Sequence, residues 1–308
     1  MRLAEHPRPQ HVLIHVSDTH LRHPDDPLVR GVVDSRAPLA ELLAGLVLSQ
    51  HNPEALILTG DLSDDGTAES YRELKALMEP VADQLGAKVI WVNGNHDDRP
   101  TFRQELLGEP ASADPINQVH LLGGLRVICL DSTVPGEAYG RVAPASLDWL
   151  ADQLAVPAPE GTILALHHAP LPVVQDLAAS WELLDQSSLA SVVARRGVRS
   201  ILGGHFHQSA SGLFAGIPVS AATSTCYTMD LFAGRGIRGQ AGAQGFNLVQ
   251  VFESTISSTV VPIGVHPTVI PRRSAGESAR LLERRGVIIA ERDPTSGPKD
   301  TPQGIVWH

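Results

Sequence analysis

Five short polar clusters hold most of the residues able to do chemistry: Ser17-Asp18-Thr19-His20, Gly60-Asp61, Gly94-Asn95-His96-Asp97-Asp98, His167-His168 and Gly203-Gly204-His205-Phe206-His207. Together they offer the imidazoles of His20, His167, His205 and His207, the carboxylates of Asp18 and Asp61, and the carboxamide of Asn95. No Lys or Arg lies inside any cluster. Gathered in one crevice, unneutralised carboxylates cost several kcal/mol each to bury, and a bound cation is the usual remedy. Nitrogen and oxygen donors without sulfur suit Mn²⁺, Fe or Zn²⁺ and exclude a structural cysteine site. Seven side chains suffice for two tetrahedral ions if one carboxylate bridges. Two ions ~3.5–4 Å apart are the arrangement that hydrolyses phosphate esters, by in-line attack of a bridging hydroxide generated near neutral pH. On an extended backbone, Asp18-x-His20 and His205-x-His207 would each place both side chains on one side.

Each cluster follows a run that reads as a strand. Strands are predicted over 12–16, 55–59, 88–92, 125–130, 163–166 and 200–202, and helices over 39–48, 71–85, 145–154 and 188–195. Such alternation predicts an α/β fold with helices covering the sheets. In α/β sheets ligands bind beyond the carboxyl ends of strands, so the five clusters can meet in one crevice. From 217 the pattern changes to strands over 217–221, 246–251 and 255–263. The Gly-rich stretch 234–245 lacks a phosphate-loop pattern and reads as a mobile hairpin connection. Residues 1–265 are expected to form one domain, and 266–308 an extension packed on its surface or partly loose. That extension carries a short helix over 275–285 and a Pro-rich end at 294–308.

Charge and composition exclude other classes. The chain has 308 residues and a formal net charge of −10, which argues against a broad electrostatic grip on nucleic acid. With 6 Phe, 4 Trp and 3 Tyr it has few platforms for exposed bases. No run is long and apolar enough for a membrane span, and residues 1–10 lack an apolar signal region, so a cytoplasmic protein is expected. Cys129 and Cys226 read as reduced core residues. His15, His23, His51, His120 and His168 read as core or surface histidines, His168 because neighbouring strand residues face opposite ways. Trp149 and Trp181 read as packing aromatics.

Asp18-x-His20, Gly60-Asp61, Gly94-Asn95-His96-Asp97, His167 and Gly204-His205-x-His207, in that order, resemble the complete signature of the calcineurin-like metallophosphoesterases. Down to Thr225-Cys226-Tyr227-Thr228 and the C-terminal region, the chain further resembles the mycobacterial class III 3′,5′-cyclic nucleotide phosphodiesterases. The resemblance implies a four-layer αββα sandwich, a homodimer, and hydrolysis of cAMP, with cGMP as a further substrate, to the 5′-monophosphate. It implies two metal ions, Fe and Mn, with Mn/Mn or Zn fitting the same donors. Asp18, His20 and His207 would hold the first with one oxygen of Asp61. Asn95, His167 and His205 would hold the second with the other. His96 would leave the metals alone, bind the substrate phosphate alongside Asn95, and protonate the leaving oxygen. Asp64 and Asp97 would orient imidazoles.

Departures from the pattern narrow the choice. Leu62-Ser63-Asp64 supplies no tyrosine ligand of the purple acid phosphatase kind, and Leu62 to Gly66 does not match the protein phosphatase run. Two alternatives stand beside the cyclic-nucleotide reading. One is a broader phosphodiesterase for 2′,3′-cyclic nucleotides, glycerophosphodiesters or aryl diesters. The other is a non-catalytic scaffold, against which the retention of all seven ligands and His96 argues.

Overall fold

Residues that alternate between two apolar faces build the centre of the molecule. A computed structural model describes residues 1–49 and 51–291. Its principal elements, in chain order, are β1 (His11–Val16), α1 (Arg36–Ser49), β2 (Ala55–Thr59), α2 (Ala68–Leu85), β3 (Lys88–Val92), β4 (Gln118–Leu122), β5 (Leu125–Cys129), α3 (Pro144–Ala155), β6 (Thr162–His168), α4 (Gln186–Val193), β7 (Val198–Gly204), β8 (Ala210–Phe214), β9 (Ile217–Ala221), β10 (Gly245–Val251), β11 (Ile256–Pro262) and α5 (Ala275–Arg284).

Two sheets form, one in the order β11-β10-β1-β2-β3 and the other in the order β8-β9-β7-β6-β5-β4. Burial along the strands separates the layers, because successive side chains point to opposite faces. Ile14, Val16, Leu56 and Leu58 pack against Leu39, Leu42, Leu43 and Leu46 of α1 and Tyr71, Leu74 and Met78 of α2. The intervening Leu13 and Ile57 face the other way, with Ile90, and meet Val127, Cys129, Ile163, Ala165 and Leu202 of the second sheet. Ile128, Leu164, Leu166 and Ile201 then pack on Leu150 and Leu154 of α3 and Leu189 and Val193 of α4. The result is the αββα sandwich. Each fully buried Leu or Ile contributes about 1.5–3 kcal/mol of transfer free energy.

Strand direction decides where the polar clusters go. β1, β2 and β3 run parallel, as do β5, β6 and β7. The ends of β1, β2 and β3 therefore share one rim, and those of β6 and β7 share another. Hydrogen bonds join the rims: a ring nitrogen of His167 lies 2.7 Å from the Thr59 carbonyl, and the His205 amide donates to Asp18.

Two strands have no clear apolar signal. β4 and β8 form antiparallel edges with alternate residues exposed, and because the exposed residues include Val119, Leu121 and Leu213, no apolar-polar alternation marks the strands. The Gly-rich segment is a hairpin connection in which Thr228–Met229 pairs with Gly239–Gln240. Cys129 and Cys226 are buried and unpaired. α5 buries no side chain, and Val287–Ile288 beyond it pairs in parallel with Arg2–Leu3. The Pro-rich end at 294–308 lies outside the described residues. Among the described residues no helix is long and apolar enough to cross a membrane.

Candidate metal centre

The chain leaves its strands through left-handed backbone at five of the seven expected ligands: Asp18 (φ 53°), His20 (43°), Asp61 (50°), His205 (77°) and His207 (50°). Asp and His tolerate this region better than most residues, yet a cluster of such positions is a concentrated source of strain at a functional site. The pairs Asp18-x-His20 and His205-x-His207 thus converge through tight turns, and the extended alternation expected from their spacing is not what aligns them. Cross-links hold the turns. The Asp18 amide donates to Gly60 O (3.0 Å), the His20 amide to Asp61 O (2.9 Å), and the Ser224 hydroxyl to Asp18 O (2.8 Å). Two glycines are required by close approach: a Cβ on Gly94 would collide with the amide and carboxylate of Asp61, and one on Gly204 with Ser17 and Asp18.

All seven expected ligands come together, in two groups that share Asp61. In the first, His20 Nε2 and His207 Nε2 are 3.0 Å apart, Asp61 Oδ2 is 3.6 Å from His20 Nε2, and Asp18 Oδ1 is 3.4 Å from His207 Nε2. In the second, His167 Nε2 lies 3.1 Å from Asn95 Oδ1, 3.1 Å from His205 Nδ1 and 3.4 Å from Asp61 Oδ1. The other nitrogen of each imidazole faces an oxygen acceptor. His20 Nδ1 donates to Asp64 Oδ1 (3.1 Å), His207 Nδ1 to Tyr227 O (2.8 Å), His167 Nδ1 to Thr59 O (2.7 Å) and His205 Nε2 to Trp181 O (2.8 Å). A neutral imidazole that donates from one nitrogen keeps a lone pair on the other. Two pairs of ring nitrogens therefore face each other at about 3 Å beside buried carboxylates, an arrangement that bound metal ions, or protons in their place, relieve. The donor set fits two metal ions, one per group, with the two oxygens of Asp61 turned to different groups.

Without a cation, the charges compensate imperfectly. Burial pushes Asp61 up, but His167, His96 and His20 outweigh it and hold the carboxyl well below the usual range. Burial raises Asp18. For His167 burial acts downward, while Asp61, Asp18 and the Thr59 carbonyl carry it to about 9. Burial lowers His20 and His205, and takes His207 down to about 4. A proton on His167 thus does part of the neutralising that a metal would do.

The surrounding residues divide their tasks. Asp64 orients His20 and also accepts from Arg22 (2.5 Å), and its carboxyl is held down at about 2 despite burial. Asp97 touches no metal-facing imidazole, contrary to the expectation from the sequence. It accepts from the amides of Leu62 (3.1 Å), Ser63 (3.0 Å) and Gly94 (2.7 Å) and from the Tyr71 hydroxyl (3.0 Å), so it fixes the backbone that carries Asp61 and Asn95. Burial and the nearby Asp61 push Asp97 up to about 6. His96 is half-exposed and lies edge-on to His20, ring centroids 4.8 Å apart. Its Nδ1 donates to Asp64 O (3.1 Å), which leaves Nε2 to meet a substrate. Burial pulls His96 down, yet Asp61, the Asp64 carbonyl and the carboxylates of Asp64 and Asp97 raise it above its usual value.

His168 does not point away as expected. Its ring lies 4.3 Å from that of His205, within ligand reach of the second group, but Ser132 Oγ (2.8 Å) and Ala138 O (3.2 Å) occupy its two nitrogens. His15 is a core histidine, buried, bonded to Thr59 Oγ1 (2.9 Å) and lowered to about 3 by burial. The residues that sequence reasoning missed are Thr59, Trp181 and Tyr227. They fix three imidazoles through backbone carbonyls, which leave no signature in side-chain type.

Comparison with known proteins agrees with this arrangement. A profile of the calcineurin-like phosphoesterase family matches residues 11–209. A probable cyclic nucleotide phosphodiesterase of Rhodococcus erythropolis is 54% identical over 292 residues, 94% of this chain and 96% of that protein. A cAMP/cGMP dual specificity phosphodiesterase of Mycobacterium tuberculosis is 49% identical over 290 residues, 94% of this chain and 91% of that protein. Among solved structures, a dimetal phosphatase from Danio rerio superposes with a TM-score of 0.61 at 12% identity, covering 83% of this chain and 97% of its own, a likeness of fold. The chain belongs to the calcineurin-like phosphoesterases.

Proposed function

We propose that this chain is a two-metal phosphodiesterase that hydrolyses 3′,5′-cyclic nucleotides, cAMP and cGMP, to 5′-monophosphates. The chemistry rests on one observation: two pairs of facing ring nitrogens, each imidazole held by a hydrogen bond on its far side, meet at a shared carboxylate. The substrate class rests on the two near-full-length relatives named above. Asp18, His20, His207 and Asp61 would hold one ion, and Asp61, Asn95, His167 and His205 the other. Ions there would supply Lewis-acid charge and a water acidified to near neutral pH. Fe and Mn, Mn alone, or Zn suit these donors.

The protein's own groups do the rest. Asn95 and His96, neighbours in the chain, would bind the phosphate and stabilise the charge that grows on its equatorial oxygens. His96 hands a proton from Nε2 to the departing 3′ oxygen, while the Asp64 carbonyl holds the ring from behind. Asp97 keeps the Asp61 and Asn95 turns in register. Residues 1–265 carry this machinery as one domain and 266–308 are an extension of it. The protein acts as a homodimer in the cytoplasm, on a small diester and not on nucleic acid.

The test is turnover by protein stripped of metal and reloaded with Mn²⁺. The reading expects 3′,5′-cAMP to yield 5′-AMP. Turnover of aryl diesters or 2′,3′-cAMP without 3′,5′-cAMP would replace it with the broader phosphodiesterase. Two bound metals without turnover of any diester would leave a scaffold.

A further inference from the structure

Beside the metal centre, three segments whose side chains the chemistry above does not use enclose a pocket of about 390 Å³. They are the small hairpin Leu28–Val29 with Val33–Asp34, the 3-10 turn Asp176–Trp181, and the segment 227–241. The volume falls within the ~300–1,000 Å³ usual for small-molecule sites. Val29, Leu177, Trp181, Tyr227 and Ile237 give it apolar and aromatic walls, and Arg30 stands at the hairpin tip. No carboxylate lines it among the described residues. A second cavity, of about 350 Å³, reaches Asn95 and His96 from the other side but is walled by Asp65, Asp97 and Asp98. No Trp, Tyr or Phe lines it among the described residues, so it offers no indole or phenyl platform for a base.

Two wall residues join the first pocket to the metal-facing imidazoles. The Trp181 carbonyl accepts from His205 and the Tyr227 carbonyl from His207. One face of the Tyr227 ring is also covered, 4.1 Å from the His207 ring. The Arg30 guanidinium reaches the Tyr227 hydroxyl, whereas Arg238 is already paired with Asp230 (2.7 Å). The pocket therefore borders the metal-facing imidazoles, and a ligand seated in it would meet no carboxylate on its walls. Such a ligand meets an indole, aliphatic side chains and the guanidinium groups of Arg30 and of the Asp230-paired Arg238, a surface that suits a purine and ribose.

We infer that this pocket receives the nucleoside of the substrate, with the base against Trp181 and Arg30 closing over the sugar side. The inference rests on the cyclic-nucleotide reading and adds the place and the residues of base recognition. Trp181, read from the sequence as a packing residue, becomes a binding residue.

The test compares 3′,5′-cAMP with the cyclic 3′,5′-phosphate of base-free ribose, using unaltered protein, Trp181→Ala, Trp181→Phe and Arg30→Ala, all loaded with Mn²⁺. Trp181→Ala should raise KM for cAMP on the order of 5- to 100-fold, the scale of a lost base–aromatic stack, with kcat within a few-fold. Trp181→Phe should recover most of the affinity, and KM for the base-free substrate should stay put in both variants. Arg30→Ala should raise KM for cAMP less than Trp181→Ala does. An unchanged cAMP KM in Trp181→Ala would overturn the inference. So would an equal loss on both substrates, because that would mean the substitution acts through His205. Binding of 5′-AMP, followed by calorimetry, probes the pocket without any need for turnover. Weaker binding by at least about 5-fold in Trp181→Ala supports the pocket, and equal affinity overturns it. Absence of turnover by the unaltered protein defeats the functional reading alone.

Discussion

Asp64→Ala tests whether a carboxylate that touches no metal sets the affinity of the first site and not the second. Asp64 Oδ1 accepts from His20 Nδ1 at 3.1 Å, and that bond keeps the lone pair of His20 Nε2 turned toward His207 and Asp61. A hydrogen bond to a charged group is worth about 1.5–3 kcal/mol, and about 1.4 kcal/mol is a factor of ten in affinity, so the first ion should bind about 10- to 100-fold more weakly. The second ion should be unaffected, because His167 and His205 are held by the Thr59 and Trp181 carbonyls. His96 should also keep its place, since it donates to the Asp64 carbonyl, which alanine retains. Calorimetric or paramagnetic titration with Mn²⁺ separates the two sites. Activity plotted against Mn²⁺ should shift to higher concentration and recover most of its plateau. The folded pKa of Asp64 is lowered from 3.8 to about 2, so it is ionised throughout the neutral range and the effect should not vary with pH there. Equal weakening of both ions, or none of either, would refute the division of the donors into two groups.

Four further outcomes are expected. Asn95→Ala should lose nearly all activity and one metal per chain by elemental analysis, because Asn95 Oδ1 lies in the second group. His96→Ala should keep both metals and lose kcat by about 10²–10⁴-fold, the usual scale for a general acid, with loss of metal contradicting its assigned role. Gly94→Ala should destabilise the fold by about 1–3 kcal/mol in denaturant and impair metal uptake, since the added methyl meets Asp61. The fourth concerns His11, 2% exposed and held between Glu54 (2.9 Å) and Glu160 (2.7 Å), which raise it above 6.5 although burial opposes them. A raised folded pKa means its stabilisation is complete below about pH 6.5 and fades as pH climbs through the folded value. His11→Gln should therefore lower the melting temperature at about pH 6, and the gap to the unaltered protein should narrow by about pH 9.

The metal donors are legible in the sequence because they break a rule. Carboxylates and imidazoles that directly follow apolar strands are costly to bury, and five such clusters at strand ends mark a shared crevice. The layers are legible for a similar reason, since Leu13, Ile14, Ile57 and Leu58 lie in apolar runs that only two-sided burial explains. What stays hidden depends on backbone. The left-handed turns at Asp18, His20, His205 and His207 replace the extended alternation that their spacing suggests, and residue type does not reveal φ. The carbonyls of Thr59, Trp181 and Tyr227 are chemically identical to every other carbonyl. The sequence puts Asp97 in the right neighbourhood but points it at an imidazole, because its true partners Leu62, Ser63 and Gly94 offer only amides. β4 and β8 carry little signal because Val119, Leu121 and Leu213 lie on their exposed faces, so residue type does not mark the buried side.

The split of the donors between the two sheets has a mechanical consequence. Asp18, His20, Asp61 and Asn95 follow strands of one sheet, whereas His167, His205 and His207 belong to β6 and the turn after β7 in the other. Ions gripped from both sides would act as rivets across a seam, while His11 fastens the opposite end of the same seam through Glu54 and Glu160. A molecule so fastened at both ends resists being prised apart like a hinged book, and its reactive hollow keeps its shape only while both covers stay shut.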